Sequence, residues 1–78
     1  MASKVIQVYV VDSNGNGLAG QRVKPYGGDE ERTDRDGCAR VLLTDSEATL
    51  YVNGYQAFRG YVSRLGNKAV FSKTGQWL

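Results

Sequence analysis

The segment DSNGNG, residues 12–17, has the spacing of the first half of an EF-hand calcium loop. In such a loop the side-chain oxygens of alternating residues surround the ion, and here those residues are Asp12, Asn14 and Asn16. A bidentate carboxylate at the twelfth position must complete the oxygen cage. Counted from Asp12 that position is Val23, whose side chain has no oxygen. The sequence therefore predicts no calcium site here, and we expect no other metal site.

The same stretch also fits the dinucleotide fingerprint G-x-G-x-x-G, formed by Gly15, Gly17 and Gly20. That motif needs a helix after its third glycine, because the first amides of the helix hold the pyrophosphate. Here the sequence QRVKPYGG follows, with a proline and two glycines. We therefore expect no nucleotide or other cofactor. The sequence predicts a connection between two strands in which Asn-Gly pairs supply left-handed backbone.

No residue combination in this chain is typical of a catalytic site. The chain contains no histidine, so it cannot form a zinc site from imidazole ligands or activate a serine or cysteine with a histidine base. Its single cysteine, Cys38, has Arg35 and Arg40 nearby, which could activate a thiol. Cys38 also follows a turn and enters a predicted strand, so we expect a small packed residue there. The sequence thus predicts a protein that is not an enzyme.

Length and charge set further limits. The 78 residues are enough for one domain, residues 1–78, and the net charge is +2. Residues 1–47 carry six basic and eight acidic side chains, whereas residues 48–78 carry four basic and no acidic ones. A lone cysteine suits a reducing compartment, so the default expectation is a cytoplasmic protein. The apolar run Val8–Val11 is far shorter than a membrane span of about 20 residues, so we expect no membrane association.

Short apolar segments separated by glycine every eight to twelve residues are typical of a β-sandwich or barrel. The predicted strands are Lys4–Val11, Gln21–Tyr26, Glu31–Thr33, Cys38–Thr44, Ala48–Val52, Gln56–Val62 and Lys68–Ser72. The sequence therefore predicts an all-β fold with six or seven antiparallel strands, in which Lys4–Val11 is central because both of its faces are largely apolar. Asn53-Gly54 predicts a tight turn, and Pro25 predicts an edge position. Residues 44–47 fit a capping box, which predicts one or two helical turns at most.

Three motifs occur in an order that resembles a known family. They are VYVVDSNGNGLAGQRV, TDRDGCARVLL and ATLYVNGY. The matching residues are Asp12, Gly17, Leu18, Gly20 and Val23 in the first motif, Thr33, Asp34, Asp36 and Gly37 in the second, and Gly54 and Tyr55 in the third. Over residues 5–62 the chain resembles the carboxypeptidase regulatory-like domains and their transthyretin-like (prealbumin-like) relatives. The resemblance implies a seven-stranded Greek-key β-sandwich of the prealbumin type, although Gly17 stands where the family usually has proline.

Two classes of function follow from these observations. The resemblance implies a non-catalytic protein-interaction or accessory structural module, whose partner is another protein, a host assembly or a second copy of the chain. The alternatives are carbohydrate binding and nucleic-acid binding by the acid-free C-terminal half. The residues of the nucleic-acid hypothesis are Arg59, Arg64, Lys68 and Lys73, interleaved with Tyr55, Phe58, Tyr61, Phe71 and Trp77. The partner surface that we predict consists of Arg59, Tyr61, Arg64, Lys73, Trp77 and Leu78.

The segment KTGQWL, residues 73–78, places a large apolar group at the end of this sequence. An exposed tryptophan is costly in a small domain, so something should cover Trp77. Either residues 76–78 fold back onto the sandwich after Gly75, or they pack on a partner. The sequence leaves both open.

Overall fold

The computed structural model of the protein describes residues 3–78, which form seven strands in two packed sheets. The strands are β1 (Lys4–Val11), β2 (Arg22–Pro25), β3 (Glu31–Arg32), β4 (Cys38–Leu43), β5 (Glu47–Val52), β6 (Tyr55–Tyr61) and β7 (Lys68–Ser72). One 3₁₀ turn, Val62–Arg64, connects β6 to the segment before β7. Every predicted strand is present, with each bound within one residue of its prediction. Asn53 and Gly54 have positive φ angles of 51° and 86°, which confirms the predicted turn.

The strands divide into a three-stranded sheet, in the order β4-β1-β7, and a four-stranded sheet, in the order β3-β2-β5-β6. β1 is central in its sheet, as predicted. The prediction of purely antiparallel strands is wrong at one place, because β1 and β7 pair in parallel. After β6 the chain crosses from the four-stranded to the three-stranded sheet, and it then runs in the direction of β1. A parallel pair needs such a crossover connection, and here the strand that precedes β7, which is β6, belongs to the other sheet.

Pro25 is a second point at which the structure differs from the prediction. β2 lies between β3 and β5 and is therefore not an edge strand. However, the N–H of Tyr26 donates to the carbonyl oxygen of Thr49, so the nitrogen of Pro25 points away from β5, since donors alternate sides along a strand. On that side β3 pairs only with Arg22 and Val23. The missing donor of Pro25 therefore costs no ladder bond.

The core lies between the two sheets and is almost entirely apolar. The completely buried side chains come from both sheets and include Ile6, Val8 and Val10 of β1 and Leu50 and Val52 of β5. Alternation along each strand explains this arrangement, because every second side chain points into the core. The capping-box residues 44–47 form a bend that leads into β5 and no helix, because Glu47 already pairs with Tyr61 in the sheet. No helix in residues 3–78 is long and apolar enough to cross a membrane.

Candidate functional site

The carboxylate of Asp12 is engaged by its own turn. The N–H groups of Asn14 and Asn16 each donate to Asp12 Oδ1 at 2.9 Å. The bond from the backbone of Asn16 is the largest cause that lowers the pKa of Asp12 below its usual value. Gly15 completes the turn with φ of +85°, and its N–H donates to the carbonyl oxygen of Asp12. The EF-hand-like spacing thus corresponds to a side-chain-stabilised turn.

Two further turns, Asp34–Cys38 and Ser72–Gln76, share the hydrogen bond from the N–H of the fifth residue to the side chain of the first. In Asp34–Cys38, Asp34 Oδ1 accepts from the N–H groups of Asp36 and Cys38, at 2.9 and 3.1 Å. In Ser72–Gln76, Ser72 Oγ accepts from the N–H of Gln76 at 3.0 Å. The fourth residue of each turn is a glycine with φ near +85°. All three turns lie at the same end of the three-stranded sheet, where β1 and β7 end and β4 begins.

The central glycine of the fingerprint, Gly17, directly follows the Asp12–Asn16 turn and packs on the Asp34–Cys38 turn. A Cβ atom on Gly17 would lie 2.0 Å from the backbone oxygen of Asp36, and one on Gly37 would lie 2.6 Å from Gly17 Cα. Buried Thr33 fixes the adjoining loop, since its Oγ1 donates to the carbonyl oxygen of Leu18 and accepts from the N–H of Gln21. The chain that follows Gly20 enters strand β2, where the fingerprint requires a helix. Within residues 3–78 no cluster of three or more acidic or cysteine side chains could hold a metal ion.

Cys38 begins β4 on the outer face of the three-stranded sheet, opposite Tyr9 of β1. It is half-buried, and its N–H donates to Asp34 in the turn just described. Cys38 thus packs at the start of its strand, as the sequence predicts.

The six residues of the predicted partner surface lie on β6, at its two ends and along the neighbouring edge of β7. Arg59 and Tyr61 are exposed on β6, and Arg64 follows in the 3₁₀ turn at the C-terminal end of that strand. Lys73 lies beyond the opposite end of β6, where Asn53 Nδ2 donates to its carbonyl oxygen at 2.9 Å. The remaining two residues, Trp77 and Leu78, follow the edge of β7.

Residues 76–78 fold back onto the sandwich, which is one of the two outcomes left open by the sequence. Trp77 pairs with Phe71, and the N–H of Leu78 donates to the carbonyl oxygen of Val70 at 2.9 Å. The Trp77 ring lies 5.4 Å from that of Phe58 in an edge-to-face arrangement. Trp77 therefore covers the core between β6 and β7, while 48% of its surface stays exposed.

The basic and aromatic residues of the nucleic-acid hypothesis lie on different faces of the sandwich or in its core. Phe58 and Phe71 belong to the core. Lys68 lies over the Tyr9 ring, 4.7 Å from its centroid, on the outer face of the three-stranded sheet. Arg59 lies on the outer face of the four-stranded sheet. These two faces point in opposite directions, so Lys68 and Arg59 do not share one surface.

A different basic surface is present on the outer face of the four-stranded sheet. Arg22 lies opposite Arg32, and Lys24 lies opposite Tyr51, while Arg59 extends the same face on β6. We call this set the basic face. Three of its bases come from the acid-rich first half of the chain, so a comparison of charge between the two halves does not reveal it. The alternation R-V-K-P in β2 is the signal that could have identified two of them.

An open groove lies on the opposite side of the sandwich from Trp77, between β4 and the β2–β3 loop. Its volume is about 560 Å³. The loop contributes Tyr26, which is 80% exposed, and β4 contributes Leu42, which is 55% exposed. The charged residues that line the groove are Arg40, Asp29, Glu31, Asp45 and Glu47. Exposed large apolar side chains beside a groove are typical of contact surfaces.

The backbone of β4 faces this groove without a strand partner. β4 lies at the end of its sheet and pairs only with β1. The N–H of Val10 donates to the carbonyl oxygen of Gly37, so alternate residues of β4 from Ala39 onward bond to β1. The N–H and C=O groups of Arg40 and Leu42 therefore point away from β1, along the free edge. We call this feature the β4 edge.

Comparison of the chain with protein-family models, with curated proteins and with solved structures returned no match.

Proposed function

We propose that this chain is a non-catalytic protein-binding module that holds an extended segment of another protein along the β4 edge. The observation that carries the proposal is the unpaired backbone of Arg40 and Leu42 beside a groove. A free strand edge offers main-chain hydrogen bonds to an added strand, and neighbouring pockets select its side chains. The β4 edge has both elements.

The other edges of the two sheets are less suited to such an addition. The free side of β7 is occupied by residues 76–78, which bond to it through Leu78. Gly75 lies against Tyr55, Gln56 and Ala57 and so covers the N-terminal part of β6. β3 has only two residues, a length that is too short to align a partner.

We further propose a prealbumin-type Greek-key connectivity for the sandwich. The strand orders β4-β1-β7 and β3-β2-β5-β6 support it, because β4 returns to lie beside β1 after the intervening pair β2 and β3. The motifs that resemble the carboxypeptidase regulatory-like domains support it independently, and those domains are accessory modules without catalysis.

The proposal is tested by blocking the β4 edge without changing the rest of the strand. In Leu42→Pro the outward N–H is replaced by a ring carbon, while the ladder to β1 keeps its donors. Leu42→Ala removes the side chain and retains the N–H, so it is the matched control. Proteins retained by the immobilised chain are identified by mass spectrometry, and binding is then measured with the purified partner. We expect Leu42→Ala to retain binding, weakened only by the loss of its side-chain contact, and Leu42→Pro to fail, with equal melting temperatures; binding by a folded Leu42→Pro variant would contradict the proposal.

The basic face favours a second candidate function, the binding of a single-stranded nucleic acid. Lys24 lies directly opposite Tyr51, and Arg22, Arg32 and Arg59 lie on the same outer face of the sheet. Basic side chains that track phosphates and an aromatic ring that stacks on a base are the elements of such a surface. Glu47 and the Glu30 carboxylate, which is 3.9 Å from Arg32, reduce its charge, so we place this function second.

A further inference from the structure

We infer that the segment bound along the β4 edge is basic, with lysine or arginine at alternate positions; this inference rests on the proposed protein-binding function. The groove has the opposite charge to the chain as a whole. Four of its lining side chains are acidic, Asp29, Glu31, Asp45 and Glu47, and only Arg40 is basic. The complete chain carries a net charge of +2.

Among the described residues 3–78, none of the four groove carboxylates forms an ion pair, although Arg40 also lines the groove. Within residues 3–78 the one ion pair joins Arg32 to Glu30, and Glu30 does not line the groove. All four groove carboxylates belong to exposed residues. A segment of positive charge would therefore gain attraction on approach and in the bound state.

The register of β3 indicates which side chains of the segment meet these acids. Glu31 lies opposite Val23, whose side chain is fully buried, so Glu31 points to the inner side of its sheet and into the groove. Side chains of a strand added to β4 alternate between the inner and outer sides. Those on the inner side face Glu31 and the β2–β3 loop, whereas those on the outer side lie beside Leu42. We therefore expect basic residues to alternate with apolar ones.

The same charges make it unfavourable for the β4 edge of a second copy of the chain to bind in this groove. In a twofold dimer formed by two β4 edges, each groove would face an identical one. The four carboxylates of one copy would then approach the four of the other, and like charges across an interface are costly. A separate basic segment avoids this repulsion.

The test uses the full chain and two fluorescent octapeptides with blocked ends, one alternating lysine and valine and the other alternating glutamate and valine. Fluorescence anisotropy measures binding at low and high salt. We expect the lysine peptide to bind more tightly than the glutamate peptide, with an affinity that falls as salt rises. The double variant D29N/E31Q should bind the lysine peptide about fivefold to tenfold more weakly. Glu30→Gln removes one negative charge, against two in the double variant, from a residue that does not line the groove, and should leave binding within about twofold.

The outcomes separate the inference from the function on which it rests. If both peptides bound equally and Leu42→Pro abolished both, the basic segment would be refuted and the β4 edge retained. If Leu42→Pro bound the lysine peptide as the unmodified chain does, the peptide would bind elsewhere and the edge itself would be wrong. Binding of neither peptide, with sedimentation of the chain as a dimer that Leu42→Pro dissociates, would identify a second copy as the occupant and overturn the inference.

Discussion

Gly17 packs so closely on the turn that contains Gly37 that neither residue has room for a side chain. A Cβ atom on Gly17 would lie 2.0 Å from the oxygen of Asp36, and one on Gly37 would lie 2.6 Å from Gly17 Cα. This contact joins the loop after β1 to the turn before β4. The central glycine of the dinucleotide fingerprint, Gly17, is thus required by the packing of one loop on another.

Gly17→Ala should destabilise the protein strongly, because the added methyl group meets backbone that cannot move without breaking the Asp34–Cys38 turn. We expect a loss of about 3 kcal/mol or more in the free energy of unfolding. Gly15→Ala is the matched control, since its φ is positive but nothing lies within 4 Å of the new Cβ. It should lose only about 1 to 2 kcal/mol, from backbone strain. Urea denaturation compares the two, and equal losses would show that the close approach does not matter.

Thr33→Val should cost about 1 to 3 kcal/mol, because the N–H of Gln21 and the carbonyl oxygen of Leu18 lose their buried partner. Valine has nearly the same shape as threonine, so the change isolates the two hydrogen bonds. The control is Thr49→Val, on the outer face of β5, which should change stability by less than about 0.5 kcal/mol. Chemical denaturation measures both variants. A Thr33→Val protein as stable as its control would mean that the loop does not depend on this hydroxyl.

Trp77→Ala should destabilise the folded chain by about 1 to 2 kcal/mol, since the indole covers Phe58 and Phe71 but stays half-exposed. Leu78→Ala, at a residue that is 65% exposed, should have an effect below about 0.5 kcal/mol. Thermal melts and sedimentation are measured together. If Trp77→Ala changed the sedimentation coefficient and left the melting temperature unchanged, Trp77 would belong to an interface between copies.

The pH dependence of stability should include a contribution from Asp12. Its turn lowers the pKa of the folded state below the usual value, mainly through the N–H of Asn16. The resulting stabilisation is present above the pKa of the unfolded state, about 3.9, and is lost as pH falls through the folded pKa. Asp12→Asn keeps an oxygen acceptor but no titrating charge, so its urea midpoint should be lower than that of the unmodified chain at pH 7, and the difference should vanish at the acid end. A difference that grew on acidification would have the wrong sign.

The basic face should determine any binding of single-stranded nucleic acid. Arg22→Gln combined with Lys24→Gln should weaken binding of a fluorescent oligonucleotide and reduce the slope of log affinity against log salt concentration. Arg64→Gln removes a positive charge from the 3₁₀ turn and serves as the control. If Arg64→Gln had the larger effect, the contact would lie at the end of the sandwich and not on its sheet.

Strand positions could be predicted from the sequence because the alternation of apolar and polar residues and the spacing of glycines are local signals. The segment Lys4–Val11 has apolar residues on both faces, which is sufficient to predict a central strand. Asn53-Gly54 likewise predicts its own turn, because few other residues adopt positive φ. Pairing is not local, so the parallel contact between β1 and β7 was missed.

Candidate binding residues were harder to predict because a surface collects residues from distant parts of the chain. Counting charge by halves placed Arg22 and Lys24 with the acids, whereas the sheet places them beside Arg59 on one face. The sequence indicates that the apolar surface of Trp77 must be buried against something. Only the fold shows that its ring packs on Phe58 and Phe71. The β4 edge has no sequence signal, because a strand is an edge only when nothing else pairs with it.

The sequence by itself determined the β class, the strand bounds, the tight turns and the lack of histidine chemistry, since each of these depends on residue type and short-range spacing. Tertiary structure alone decided that Gly17 packs on the Asp34–Cys38 turn, that the bases of β2 and β6 share a face, and that Arg40 and Leu42 keep unpaired backbone. The physical reason is that hydrogen-bond partners, buried contacts and electric fields depend on distance in space, which the order of residues does not contain until the two sheets have packed.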